Sequence, residues 1–220
     1  MTDTKQPIMK QFRRSMVVFG ILASFSFATT FFGVWLLNLG VLFLGPLIWL
    51  GVIIIAGAII VFKGLEAAWH GRGFGPRLIM ALIAPILLGL AILLSSPLST
   101  AGEVSGAWLR LMIERSRYET IIEKESQPPS GTARIVDRED GGITYTVDAG
   151  PPVRVAFNPD GIIDNWTGII YDPTGEVLLA KGFDPVTGEF HMPSHIKELF
   201  GGDLVACRHI WSDYYKCSFT

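Results

Sequence analysis

Two short acidic loops of nearly the same sequence are the first candidates for chemistry in this chain. DPTG at residues 172–175 is followed a few residues later by DPVTG at residues 184–188. A calcium loop needs several carboxylates or amides at alternate positions over about twelve residues, and neither loop has them. Asp, Pro and Gly instead occupy positions that a tight turn favours. We therefore predict two turns rather than a metal or sugar site, and we expect asparagine to replace Asp172 or Asp184 with little effect.

A stronger candidate for ligand binding combines acids, amides and an indole. NPDG at residues 158–161 is followed by Asp164, Asn165 and Trp166. Indole faces stack on sugars and peptide side chains, and nearby carboxylates could bind hydroxyl groups or a cation. The predicted binding residues are therefore Asp160, Asp164, Asn165 and Trp166. The alternative interpretation is a turn followed by the core tryptophan of a small domain.

Histidine spacing gives only a weak indication of a metal site. His191 and His195 are four residues apart, which on a helix would place them on one face. Pro193 lies between them, however, and a helix interior does not readily accept proline. Because no third ligand accompanies them, we predict no metal site and no cofactor.

Asp203, Cys207 and His209 come closest to a catalytic set. A cysteine nucleophile needs a base within hydrogen-bonding distance. On a strand, Cys207 and His209 would share a face about 7 Å apart, which is too far for a direct hydrogen bond. We therefore predict no catalytic residues. An exported enzyme that uses Asp203 and His209, or the region around Asp164, is the alternative.

The elements that carry these residues follow a long apolar region. The chain has 220 residues, of which 50% are hydrophobic and only 17% charged, and its mean hydropathy is +0.42. A membrane helix needs about 20 apolar residues. We predict three spans at residues 15–37, 41–62 and 78–94. A cleaved signal peptide is the alternative for the first span, but its apolar core would have only about 7 to 15 residues.

Basic residues beside the predicted spans give the orientation. Lys10, Arg13 and Arg14 precede the first span, and Lys63 and Arg77 lie between the second and the third. Since Lys and Arg are retained on the cytoplasmic side, the N-terminus and the second connection are predicted to be inside. Three spans then place the remainder outside. We predict the inner membrane of a bacterium, with an extracytoplasmic C-terminal domain.

This location favours a disulfide over a reactive thiol for the two cysteines of the chain. Residues 204–210 and 214–219 fit a hairpin that turns at Ser212, and this pairing places Cys207 directly opposite Cys217. Disulfides persist in oxidising compartments outside the cytoplasm. We therefore predict a bridge between the two residues.

Charge and small residues indicate the partners. Residues 101–220 carry eighteen acidic and eleven basic side chains, which disfavours nucleic acid. The basic inner segments suit membrane lipid. We predict a protein partner, bound through the C-terminal domain or through small-residue faces of the spans, and leave the oligomeric state open. Two stripes could form such faces: Gly20, Ser24 and Ala28 in the first span, and Ala81, Pro85 and Gly89 in the third.

The region after the spans begins with a helical pattern. It predicts a stalk that could lie on the membrane, form a coiled coil or pack on the following domain, and we favour the last. The apolar stripe consists of Val104, Trp108, Leu111, Tyr118 and Ile122. The predicted organisation is a cytoplasmic tail at 1–14, a three-helix transmembrane region at 15–100, the amphipathic stalk and its linker at 101–131, and a β domain at 132–220.

The β domain is predicted from short β-rich runs separated by turn residues. One helix, His195 to Phe200 with Ser194 as its cap, interrupts them. Sequential pairing predicts a small antiparallel β-sandwich or barrel, so the fold class is membrane α plus all-β. The predicted strands are TARIVD, ITYTVD, VRVAF, TGIIY, EVLLAK, LVACRHI and YYKCSF.

Binding is the favoured function. We predict a multipass inner-membrane protein that presents its β domain for protein-protein interaction, as an accessory, assembly or protective subunit. The predicted spans contain no ionisable side chain, which disfavours a transporter. The exported enzyme and an oligomeric small-solute channel are the alternatives.

Overall fold

A computed structural model describes residues 5–34, 39–70, 74–126, 134–162, 165–184 and 186–220 of the chain. The chain divides into two compact units, which we call the helical unit (Met1–Glu103) and the sheet unit (Val104–Thr220). Three long helices precede the sheet: α1 (Lys5–Gly33), α2 (Leu39–His70) and α3 (Phe74–Glu125).

Two of the described helices, rather than the predicted three, are long and apolar enough to cross a membrane. They are Met9–Gly33 in α1 and Ala81–Glu125 in α3. In the most apolar stretch of each helix, only 11% and 6% of the residues are buried. The core helix of a soluble protein, by contrast, is mostly buried. The predicted span 41–62 lies in α2, and the side chains of residues 39–49 are outside the described part. The predicted span 78–94 is extended because α3 continues without a break into the stalk.

Helices α1 and α3 pack side by side in the helical unit and run parallel. The hydroxyl group of Ser26 donates to the backbone oxygen of Ser95 at 3.0 Å, and that of Thr30 donates to the backbone oxygen of Ser99 at 2.8 Å. Both contacts advance by one helical turn in the same direction on the two helices. Hydroxyl groups that bond to a neighbouring helix are a common way of joining helices in an apolar surrounding.

A glycine permits the closest approach of these two helices. A Cβ atom added at Gly102 would collide with the backbone oxygen of Phe27 and the hydroxyl group of Thr30. By contrast, Cβ atoms added at Gly20 and Gly89, which belong to the predicted small-residue stripes, would meet no described atom within 4 Å. The helix contact therefore lies further towards the C-terminal ends of α1 and α3 than the stripes predict.

The end of α3 belongs to the sheet unit and packs on the sheet, as favoured for the stalk. Leu111 and Tyr118 are fully buried. The Tyr118 ring stacks on Phe157 with centroids 4.0 Å apart, and its hydroxyl group accepts a hydrogen bond from Asn158 Nδ2 at 2.7 Å. Trp108, which was also predicted on this stripe, is 46% exposed.

The strands form one curled antiparallel sheet, a half-barrel, instead of a closed barrel or a two-sheet sandwich. Its order is β1-β2-β3-β4-β7-β6-β5. The two ends do not meet, because β1 pairs only with β2 and the two-residue β5 pairs only with β6. The strands are β1 (Ile135–Asp140), β2 (Ile143–Asp148), β3 (Arg154–Ile162), β4 (Asn165–Tyr171), β5 (Glu198–Leu199), β6 (Gly202–Trp211) and β7 (Tyr214–Phe219).

Two predicted elements differ from the structure. EVLLAK is not a strand, because Glu176–Leu179 form a 3-10 helix whose Val177 N–H is bonded by a side chain of the preceding turn. The predicted helix 195–200 is reduced to α4 (Ser194–Lys197), since Glu198 and Leu199 pair with β6 as β5. Ser194 makes no capping hydrogen bond, and Pro193 occupies the cap position.

Both faces of the sheet are covered. On one face, α3 packs against side chains that include Tyr145, Phe157 and Tyr214. On the other face, the segment 172–201 supplies Val177, Ile196 and further residues of a second apolar cluster. A single sheet can therefore bury apolar side chains on both sides without a second sheet.

The predicted disulfide is confirmed. Cys207 in β6 and Cys217 in β7 are directly opposite in the register and are bonded to each other. The hairpin turns at Ser212, whose φ is 48°. The bridge cross-links two neighbouring strands.

Candidate functional site

The turn at residues 172–175 holds a buried carboxylate. The backbone forms the predicted turn, because the Asp172 carbonyl accepts from Gly175 N–H at 3.3 Å and Gly175 has a φ of 71°. Asp172 itself is fully buried. Its Oδ1 accepts from the Thr174 hydroxyl group at 2.7 Å, and its Oδ2 accepts from Val177 N–H at 3.1 Å. The turn was predicted correctly, but this carboxylate also organises the interior.

Arg154 on β3 is the cation that faces this carboxylate. Its Nε donates to Asp172 Oδ1 at 2.9 Å. Its Nη2 donates to the hydroxyl group of Thr174 at 3.1 Å and to Glu176 Oε2 at 2.8 Å. Only 7% of the Arg154 side chain is exposed. The planar guanidinium group therefore lies in a fixed orientation between two carboxylates.

Two opposing effects act on the ionisation of Asp172. Burial by itself would raise the pKa of this carboxyl group. Hydrogen bonds from Thr174, Val177 and Arg154, together with the positive charge of Arg154, outweigh burial and hold the pKa below its usual value. The group is therefore ionised at neutral pH.

The network lines a cavity of about 390 Å³, within the size range of small-ligand sites. It lies where the segment 172–201 meets the β2–β3 side of the sheet. Its walls come from the connection between β2 and β3, from β3 itself, from the 3-10 helix and from α4. The lining residues are Arg134, Gly150, Pro151, Pro152, Arg154, Glu176 and His195.

The rim of the cavity carries one further ion pair and one histidine–carboxylate contact. Arg134 donates from Nε and Nη2 to the two oxygens of Asp148, at 3.0 and 3.3 Å. Gly150 N–H also donates to Asp148 Oδ1, at 3.1 Å. His195 Nε2 lies 3.3 Å from Glu176 Oε1. Arg134 and His195 remain largely exposed, so the N–H groups of both side chains can reach a bound molecule.

One feature of the sequence indicates this site. Arg154 lies between Val153 and Val155 in the predicted strand VRVAF, so the alternation of side chains along a strand places it on the opposite side from two apolar neighbours. Because both faces of the sheet are covered, that side is buried. A buried positive charge requires an oppositely charged partner. Asp172, which directly follows β4, is that partner.

Three of the residues that we predicted for ligand binding, Asp160, Asn165 and Trp166, lie at the other end of the β3–β4 hairpin. Asp160 pairs with Thr167, and Asn165 is exposed at the start of β4. The Trp166 indole stacks on Phe219 at 3.9 Å and packs against the second apolar cluster. Asp164 lies outside the described residues. Ligand binding at this position stays a prediction.

The structure separates Asp203 from His209, the pair of the alternative enzyme, and gives His191 and His195 different partners. Asp203 and His209 lie at opposite ends of β6, roughly 20 Å apart at about 3.3 Å per residue. His191 lies 3.3 Å from Asp184, whereas His195 contacts Glu176. In the described part of the chain, no group of three or more His, Cys, Asp or Glu side chains could hold a metal ion.

The second acidic loop is a surface turn. Asp184 Oδ1 accepts from Val186 N–H at 2.7 Å and from Thr187 N–H at 3.3 Å. These two backbone hydrogen bonds hold the pKa of Asp184 below its usual value. Pro185 lies outside the described residues. The prediction of a turn is confirmed here as well, and among the described residues no Lys or Arg pairs with this carboxylate as Arg154 pairs with Asp172.

No protein-family model matches this chain, and neither a curated protein nor a solved structure matches it. Its function is therefore argued from its own residues.

Proposed function

We propose that this chain is a bacterial inner-membrane protein that crosses the membrane three times and binds another protein through its sheet unit on the extracytoplasmic side. The parallel packing of α1 and α3 carries this proposal. Two neighbouring helices that cross in the same direction require the chain to return between them. Helix α2 has 32 residues and, at about 1.5 Å per residue, is about 48 Å long, which is enough to cross back.

The exposed side chains of α2 support its role as the second of the three proposed spans. Its large apolar residues are exposed along much of the helix, as a surface that faces lipid would be. A Cβ atom added at Gly57 would lie 2.8 Å from Leu88 in α3. These two positions are at similar distances from the connection between α2 and α3, as in an antiparallel pair of helices. The exposed apolar residues are Leu50, Ile54, Ile55, Ile59 and Phe62.

The ends of the helices support a cytoplasmic N-terminus. The contacts between Ser26 and Ser95 and between Thr30 and Ser99 place the start of α3 level with the start of α1. Arg13 and Arg14 are therefore at the same end of the helical unit as Arg77. Basic residues collected at one end indicate the cytoplasmic side. With three crossings, the residues beyond Glu103 would be outside the cytoplasm.

The disulfide supports the same location by a separate route. Cys207 and Cys217 form a bond, and structural disulfides persist in oxidising compartments such as the bacterial periplasm. The sheet unit would meet such conditions only outside the cytoplasm.

An exposed apolar patch supports a protein partner. Leu178, Leu179, Phe183 and Val186 belong to one short segment and are each more than two-fifths exposed, with Val186 at 90%. Exposed apolar clusters of this kind are typical of protein interfaces. Asp184 and the exposed Lys181 are in the same segment, so the complementary partner would have an apolar surface bordered by side chains of both charges.

Site-specific photo-crosslinking tests this proposal. A photoreactive amino acid at Val186 should give one discrete adduct with another protein in intact membranes. The same amino acid at Glu139, which is exposed on the edge strand β1, serves as the control and should give none. Equal labelling from both positions, or an adduct only with lipid at Val186, would argue against a protein interface at this patch.

A further inference from the structure

We propose that the cavity between Arg134, Arg154, Glu176 and His195 binds a carboxylate group. This site does not include the exposed apolar residues of the patch, and the proposal does not depend on a protein partner. The proposal rests on two observations. The acceptor oxygens of the cavity walls are already hydrogen-bonded, whereas some of the N–H donors are not.

The acceptors around the cavity are occupied. The two oxygens of Asp148 accept from Arg134, and one of them also accepts from Gly150 N–H. Glu176 Oε2 accepts from Arg154, and Oε1 faces His195. A ligand that offers only donors, such as an amine, would have to displace one of these ion pairs.

By contrast, some N–H donors of the two arginines make no hydrogen bond to a described residue. Arg154 uses Nε and Nη2, and Arg134 also uses Nε and Nη2. A guanidinium group has five N–H donors, and neither Nη1 has a hydrogen bond to a described residue. The carboxylates behind the two arginines fix the planes of both groups. A ligand with two adjacent acceptor oxygens therefore meets donors that are already oriented.

Charge and shape narrow the class of ligand. The excess of acidic side chains beyond residue 100 disfavours a multiply charged anion such as phosphate. A carboxylate carries a single charge. Pro151 and Pro152 add apolar ring surface to the cavity wall, against which the hydrocarbon part of the ligand can pack. The ligand could be a free small carboxylate or the C-terminal carboxylate of a peptide.

NMR titration of the full-length protein in detergent tests the site. The backbone N–H of Gly150 is the reporter, because it donates to Asp148 at the cavity wall. N-acetyl-leucine, which resembles a peptide C-terminus, should shift this signal with a millimolar dissociation constant, and its neutral amide should bind at least tenfold more weakly. If acetate also shifts the signal with comparable affinity, the ligand is a free carboxylate; if only N-acetyl-leucine does, it is a peptide terminus.

Two variants connect the binding to the cavity. Arg134→Lys keeps the charge but removes the free Nη1 donor, and His195→Gln replaces an exposed rim group; each should weaken binding of N-acetyl-leucine at least threefold. Lys197→Gln, which removes an exposed cation from α4 outside the cavity, should leave it unchanged. If Arg134→Lys does not fold, His195→Gln decides. The proposal is wrong if acid and amide bind equally, if inorganic phosphate binds more tightly than N-acetyl-leucine, if Lys197→Gln weakens binding as much, or if no shift occurs.

Discussion

Arg154 and Asp172 form an ion pair whose two side chains are 7% and 0% exposed, with Nε and Oδ1 2.9 Å apart. Removing one member of such a pair leaves a buried charge without its partner, which typically costs about 3 to 5 kcal/mol. We therefore expect Asp172→Asn to lower the free energy of unfolding by about 3 kcal/mol, which corrects the small effect that the turn sequence alone predicts for this residue. Thermal unfolding of the full-length protein in detergent, followed by tryptophan fluorescence, measures the change.

The second acidic loop provides the matched control. Asp184 makes the same kind of hydrogen bonds to its own turn but lies at the surface. Asn can accept these bonds, so Asp184→Asn should change stability by less than about 0.5 kcal/mol. Equal effects of the two substitutions would mean that the Arg154 pair does not stabilise the protein.

The stability that Asp172 provides should depend on pH. The pKa of its carboxyl group is lowered in the folded state, against about 3.9 in an unfolded chain. The contribution is therefore complete above about pH 5 and is lost as pH falls through the folded-state value. The difference between the wild type and Asp172→Asn should be constant from pH 7 to about pH 5 and become smaller below about pH 4. A difference that grows on acidification would contradict this assignment.

The two acidic loops also show how far the sequence predicts this structure. Local chemistry was sufficient for both turns and for the register that pairs Cys207 with Cys217. The Arg154 network was not predicted, because Asp172 and Glu176 follow Arg154 by 18 and 22 residues. These side chains meet only when the connection after β4 folds back over the sheet. In the same connection, Glu176–Leu179 form a 3-10 helix instead of the predicted strand EVLLAK. The Asp172 carboxylate accepts a hydrogen bond from the N–H of Val177, which is therefore not available to a neighbouring strand.

The alternation of apolar and polar residues along the strands also could not distinguish one sheet from two. Apolar side chains on both faces are compatible with a sandwich, a barrel or a sheet covered by other elements. Here α3 and the segment 172–201 cover the two faces. In the helical unit, the stripes of small residues were visible in the sequence, but the contact was made at Gly102, beyond the end of the predicted third span.

The disulfide should stabilise the sheet unit measurably. Cys207 and Cys217 are 10 residues apart, and closing a loop of this size contributes about 2 to 3 kcal/mol in the chain-entropy account. Replacing both with Ser should lower the melting temperature by roughly 10 °C. Mass spectrometry after alkylation without reductant gives the control: two alkylated cysteines in freshly isolated membranes would show that the bridge is absent in the cell.

The packing of α1 against α3 should depend on Gly102. In Gly102→Val the side chain would collide with the Phe27 carbonyl and Thr30, so the helices must separate and lose the hydrogen bonds of Ser26 and Thr30. We expect a lower melting temperature in mild detergent. Gly89→Val is the matched control in the same helix, because no described atom lies within 4 Å of a Cβ atom added there. If both variants melt at the same temperature, Gly102 does not join the helices.

Cysteine accessibility tests the three-span topology most directly. In a background with Cys207 and Cys217 replaced by Ser, single cysteines are placed at Trp69, which is 83% exposed near the end of α2, and at Val186 in the sheet unit. With a cytoplasmic N-terminus and three crossings, Val186→Cys should react with a membrane-impermeant maleimide in intact spheroplasts, and Trp69→Cys should react only after permeabilisation. If α2 does not cross, the labelling is reversed: Trp69→Cys reacts in intact spheroplasts and Val186→Cys does not, which would contradict an extracytoplasmic sheet unit.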